Sequence, residues 1–402
     1  MTPRNPFNGP TLFSYGFRPF FLGATLFALG VVPVWLFIWR RELTLHSPFA
    51  PVDWHIHEMI FGYGAAVVAG FLFTAVPNWT GRMPTRGWPL ATLAAIWLAG
   101  RVVLAGGAAL GSPAVLLIDQ AFLLAVVAMV SGEIMAGKNW RNLKVLVPVT
   151  LLWAANILYH AEVMTAGTAD LGRRLGLALL VFLIMLIGGR ILPSFTRNWL
   201  AQHGAARLPV PFNRFDAVCL VTGVLALLTW IFAPFTLAAA ALGVLAALLH
   251  VARLARWRGH ATWRSPLLLM LHVAYLGIPA GFIAVSATAL GLAAMAAPAH
   301  LFGIGAVGGM TVAVMMRATM GHTGREMVAG RGLTVAFVLL PLAALARLAG
   351  DALNLGGLDG IALSALLWTT SFALLAWRLV PWLSRPRVAR RAPSQASPRP
   401  AS

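Results

Sequence analysis

Apolar residues fall in twelve runs separated by short polar breaks, each run close to the ~20 residues that a helix needs to cross a bilayer. They predict helices over 18–40, 56–79, 88–108, 113–136, 144–165, 173–193, 215–233, 236–256, 266–290, 298–320, 332–350 and 358–382. The pattern is that of an all-α, polytopic membrane protein with about twelve transmembrane helices. The connections leave no room for a soluble domain. Residues 1–383 therefore form one transmembrane domain, and the Arg-, Pro-, Ser- and Ala-rich residues 384–402 are expected to be a disordered basic tail.

Within this pattern one segment echoes another. From His57 the chain reads H-E-M-I-F-G-Y-G and closes on Trp79-Thr80-Gly81; from His300 it reads H-L-F-G-I-G-A-V and closes on His322-Thr323-Gly324. The offset is constant, pairing His57 with His300, Gly62 with Gly305 and Gly81 with Gly324. Helix six shares part of the closing phrase, with Pro193 to Trp199 set against Pro77 to Thr80. Helices two, six and ten are four apart, which suggests three four-helix units in a pseudo-threefold arrangement. The same region contains Gly303-Ile304-Gly305-Ala306-Val307-Gly308, a match to the dinucleotide fingerprint. No strand precedes it and it lies in a membrane span, so the nucleotide reading is excluded.

Composition supports the membrane assignment. Of 402 residues, 59% are hydrophobic and 10% charged, with mean hydropathy +0.81, whereas soluble domains carry about 25% charged residues. A net charge of +19 would suggest nucleic acid in a soluble protein, but here the cations sit in alternate loops. Arg4 and Arg18 lie at the amino end, before and at the start of the first helix; Arg82 and Arg86, then Lys138, Arg141 and Lys144, then Arg190, Arg197, Arg207 and Arg214 follow helices two, four and six. The loops after helices eight and ten and the tail continue the series, while the intervening loops hold little beyond Arg40, Arg41, Arg173 and Arg174. This is the positive-inside rule, and with the even helix count it puts both termini in the cytoplasm. Nucleic acid is not an expected partner. The single Cys219 excludes an internal disulfide and an iron–sulfur cluster. Met1–Phe13 lacks the features of a signal peptide, so helix one is expected to stay.

The candidate chemistry lies in polar groups that hydrocarbon penalises by roughly 2.5–3.5 kcal/mol for a charge at mid-helix. Trp54-His55-Ile56-His57-Glu58 stands at the mouth of helix two, His160 near the outer end of helix five and His300 at the outer start of helix ten. Four histidines from three spans thus share the outer leaflet, and imidazole is the commonest metal ligand. His55, His57, His160 and His300 are the metal-ligand candidates. His55 and His57 are two residues apart, roughly 200° around an ideal helix, so they face two neighbouring sites unless helix two starts irregularly. Asn156 and His160 share a face and can act together. His203, His260 and His322 are expected in loops on the cytoplasmic side, and His272, with Tyr275, makes a polar step within helix nine. Arg101, Asp119 and Arg347 lie at the depth of the histidine cluster. Arg101 and Asp119 can form an ion pair; equally, buried arginines at this depth are what the carboxylates of a haem need, since guanidinium binds carboxylate bidentately. Arg101 and Arg347 are therefore candidate propionate partners.

Four motifs in order, Ser14-Tyr15-Gly16-Phe17-Arg18-Pro19-Phe20-Phe21, Trp54–Glu58 running into Pro77-Asn78-Trp79-Thr80-Gly81, Gly189-Arg190-Ile191-Leu192-Pro193-Ser194-Phe195-Thr196, and Gly321-His322-Thr323-Gly324-Arg325, resemble the NnrS family. The resemblance runs from helix one to the last span. It implies a bacterial inner-membrane protein that contains haem, of b type, and copper, and serves nitric oxide metabolism and resistance to nitrosative stress. Haem–copper oxidases, whose plan the echo also resembles, have twelve core helices in three quasi-repeated groups. Their closely spaced histidine pair in a helix-seven equivalent is not found here. On this reading one or two of His57, His300 and His272 hold haem iron, with copper near His55 or His160. Nitric oxide is the ligand, and a respiratory electron donor can be accommodated. Two other classes fit the same pattern. A secondary transporter would use Asp119 and Arg101 as coupling groups and His55, His57 and Glu58 as an ion entry site. A helper for assembly of a respiratory complex would carry the metals in transit.

Overall fold

The computed structural model describes residues 7–388; Arg4, Arg390, Arg391, Arg399 and the expected tail beyond Val388 lie outside the described residues. Twelve helices are long and apolar enough to span a membrane. They are α1 (Phe17–Trp39), α2 (Pro51–Thr80), α3 (Trp88–Gly106), α4 (Ser112–Ala136), α5 (Asn142–Ala166), α6 (Asp170–Gln202), α7 (Arg214–Phe232), α8 (Leu237–Arg256), α9 (Pro266–Ala289), α10 (Ala297–Thr323), α11 (Gly330–Ala352) and α12 (Gly360–Ser384). Among the described residues the only strands are Asn354–Leu355 and Leu358–Asp359, a two-residue antiparallel ladder between α11 and α12.

Three boundaries differ from the sequence expectation for identifiable reasons. Helix α2 starts five residues earlier than residue 56, because Pro51 occupies the first helical turn, where its missing N–H costs nothing. His55 and His57 therefore lie inside the helix rather than at its mouth. Helix α6 runs on to Gln202, since Pro193 is accommodated within it. Helix α10 reaches Thr323, so His322 belongs to its last turn and not to a loop. Its ring packs against Tyr15 and Phe17, at 5.5 and 5.4 Å between ring centroids. Arg18 donates to the carbonyls of Leu383 and Arg385 at 2.7 and 2.9 Å. The start of α1, the end of α10 and the end of α12 thus meet at one end of the bundle, the terminus-bearing end.

The echo between α2 and α10 has a physical basis at both ends. Each helix closes on Thr-Gly with the glycine in the left-handed region, Gly81 at φ 68° and Gly324 at φ 76°, the conformation that ends a helix without a Cβ penalty. Directly after His57 and His300 the backbone widens into π-helical turns, Glu58–Gly64 and Leu301–Gly308. A third π-helical turn, Ile184–Gly188, interrupts α6. Such turns are rare and concentrate at functional sites. They free carbonyls that side chains then satisfy: Trp97 donates to Gly62 at 3.0 Å and Arg253 to Met185 at 3.0 Å.

These three helices meet at the centre. Tyr63 of α2 and Thr311 of α10 share a 2.5 Å hydrogen bond, and Leu180 of α6 packs against Gly64 of α2. The other nine form three arcs around them, α3–α4–α5, α7–α8–α9 and α11–α12–α1, each packed in sequence.

Candidate functional sites

The first two turns of α2 are α-helical, so His55 and His57 point to different sides and enter different sites.

His57 enters a fully buried polar cluster. Its Nε2 is 2.7 Å from Asn156 Oδ1 and 3.2 Å from Asp119 Oδ2. His160 Nε2 lies 3.2 Å from the same Asp119 oxygen, and Asn156 Nδ2 donates to it at 2.8 Å. Asp119 Oδ1 accepts from Arg101 Nη2, and Arg101 Nη1 donates to Glu58 Oε2 at 2.5 Å. Two glycines make room: a Cβ on Gly62 would stand 2.5 Å from Glu58 Oε2, and one on Gly100 would stand 2.9 Å from Asp119 Oδ1. His57, Asp119 and His160 form a possible three-residue cation site, with ligand atoms all within 4.8 Å of one another. The Nδ1 atoms of both histidines are buried without a hydrogen-bond partner. With both carboxylates ionised and the imidazoles neutral, Glu58, Asp119 and Arg101 leave one uncompensated negative charge, which a bound cation would balance.

His55 faces the other way, into a cavity of about 420 Å³ at the end of the bundle opposite the termini, within the roughly 300–1,000 Å³ of small-molecule sites. The His55 ring stacks on Trp35 at 4.3 Å, and its Nδ1 is buried without a partner. His300 also lines the cavity, and its Nδ1 donates to the Ala296 carbonyl at 2.8 Å. In the neutral ring that bond makes Nε2 the lone-pair nitrogen, the tautomer a metal ligand needs. Arg173, Arg174 and Arg347 line the same cavity, and no carboxylate does among the described residues. Arg173 pairs with Asp170, and Arg174 donates to the Ile231 carbonyl at 3.1 Å. Arg347 makes no side-chain hydrogen bond among the described residues and is half-buried. Aromatic and aliphatic side chains, including Trp230 and Trp368, complete the wall.

The structure redistributes the sequence candidates. His57 and His300, equivalent positions of the sequence echo and both candidate haem ligands, occupy different sites; His55 shares a cavity with His300, and His57 a cluster with His160. Arg347 lines the cavity, whereas Arg101 does not, because both arms of its guanidinium are held by Glu58 and Asp119. His272 lies away from both sites. Its Nε2 is 2.8 Å from Thr196 Oγ1 on α6, and its ring stands against Gly259. Sequence reasoning missed Glu58 as the partner of Arg101, and Arg173 and Arg174 as cavity residues. A signal for the latter was present: an Arg-Arg pair on the side that the charge rule depletes of cations.

The fold and sites define a twelve-span membrane protein with two histidine sites flanking one central helix. Compared with known families, residues 11–387 match the NnrS protein family. The chain belongs to that family, and so to the membrane proteins related to nitric oxide. No curated protein matches it.

Proposed function

We propose that the chain binds haem in the larger cavity and copper at the His57–Asp119–His160 cluster, and serves the nitric oxide response. The supporting observation is the division of α2: one face presents an imidazole with a buried, partnerless Nδ1 to an apolar, arginine-edged chamber, and the other brings His57 beside His160 and the Asp119 carboxylate. His55 and His300 would hold the haem, with Arg347, Arg173 and Arg174 receiving its carboxylates bidentately. Copper would be held by His57 and His160 with Asp119, positioned by Asn156 and Arg101. Bound there, haem would supply an iron that takes a small diatomic ligand, and copper a second redox metal. The chain's own contribution is to orient the imidazoles, exclude water through the aromatic wall and keep the anionic cluster apart from the cationic chamber. In the bacterial inner membrane with both termini cytoplasmic, the chamber would open toward the outer leaflet. The transporter reading is less well supported, since its coupling groups Arg101 and Asp119 are buried and paired with each other.

The test is optical. Protein purified from cells supplied with haem and copper is expected to show a Soret band that moves when nitric oxide is added. A colourless, metal-free preparation from such cells would count against the proposal.

A further inference from the structure

A second cavity, about 90 Å³, lies where α2, α6 and α10 meet. It forms where the three π-helical turns end: Gly64, Gly188 and Val307, at or next to the last residue of each, line it. A π-helical turn widens the backbone and throws the following side chains out of register, so three of them converging leave space that close packing would otherwise fill.

The chamber is dry. Of its lining side chains only Thr311 carries a polar atom. That hydroxyl is committed, donating to the Val307 carbonyl at 2.7 Å and accepting from Tyr63 at 2.5 Å. A buried water needs two to four polar partners, and apolar cavities without them stay empty of water yet admit xenon or benzene at about 150 Å³. Leu180 and Val307 line both this chamber and the larger cavity, so the two share a wall.

We infer that the central chamber is a binding site for a small, uncharged, apolar gas, held next to the larger cavity. The identification of that gas with nitric oxide rests on the function proposed above; the gas site itself does not. Val314 is the position to alter, because it lines this chamber and does not line the larger cavity. Crystals of the purified full chain, pressurised with xenon, are expected to show xenon between α2, α6 and α10. Val314→Phe should remove that peak, and Val314→Leu, which adds a single methylene, should lower its occupancy in a protein that still folds. Wild-type crystals with ordered water in the chamber, with xenon only elsewhere, or with a peak that either variant leaves unchanged, would overturn the inference. Since xenon needs no haem, a failure here is distinguishable from a failure of the cofactor proposal.

Discussion

Replacing Arg101 by methionine is expected to lower stability by about 3–5 kcal/mol, the usual consequence of removing one partner from a buried ion pair. Arg101 is the only cation among the described residues bonded to Glu58 and Asp119, which are 1% and 2% exposed. Without it two carboxylates face each other in a low-dielectric interior, with one Glu58 oxygen already lacking a partner. Arg101→Lys should recover only part of the loss, because an ammonium lacks the rigid fork that reaches both acids. Arg347→Met provides the contrast. It breaks no ion pair among the described residues, so its stability should stay within about 0.5 kcal/mol of wild type, while its haem content falls. Thermal unfolding of the purified variants, with haem quantified in each, separates the two arginines. An Arg101→Met protein as stable as wild type would show that the cluster is not held by this pair.

The second large effect is expected on copper. His160→Ala removes one of two imidazoles beside Asp119 and should abolish stoichiometric copper. Asn156→Ala leaves the ligands in place but removes the amide that bonds both His57 and Asp119. Loss of such an outer partner typically weakens metal binding about 10–100-fold. Copper affinity measured by chelator competition should fall in that order, with Asn156→Ala between wild type and His160→Ala. Unchanged affinity in His160→Ala would remove the cluster from consideration as a copper site.

The fold was legible because spanning helices are written as long apolar runs, and the depth of each histidine followed from counting along them. The alternation of His55 and His57 was legible too, since two residues around a helix decide which sides they face. Azimuth on the other helices was not. Arg101 and Asp119 could be placed at one depth, yet nothing local says that Glu58 closes the same network, because that depends on Gly62 and Gly100 letting the helices approach. The π-helical turns carry no sequence code of their own. They became visible only as the spacing shared by His57 and His300, and their tertiary consequence, a central void, depends on three helices meeting. His272 looked like a ligand because a histidine within a span is unusual, but its Nε2 bonds a neighbouring threonine hydroxyl and the ring lies away from both sites, although its Nδ1 is buried without a partner.

The central claim is that α2 divides two cofactor sites between its faces. The most direct test is the haem and copper content of wild type beside the His55, His57, His160, His272 and His300 alanine variants. The account predicts that His55→Ala and His300→Ala lose haem and keep copper, that His57→Ala and His160→Ala lose copper and keep haem, and that His272→Ala loses neither. Haem and copper falling together in folded single variants, or haem that depends on His57 or His272 and not on His300, would contradict it.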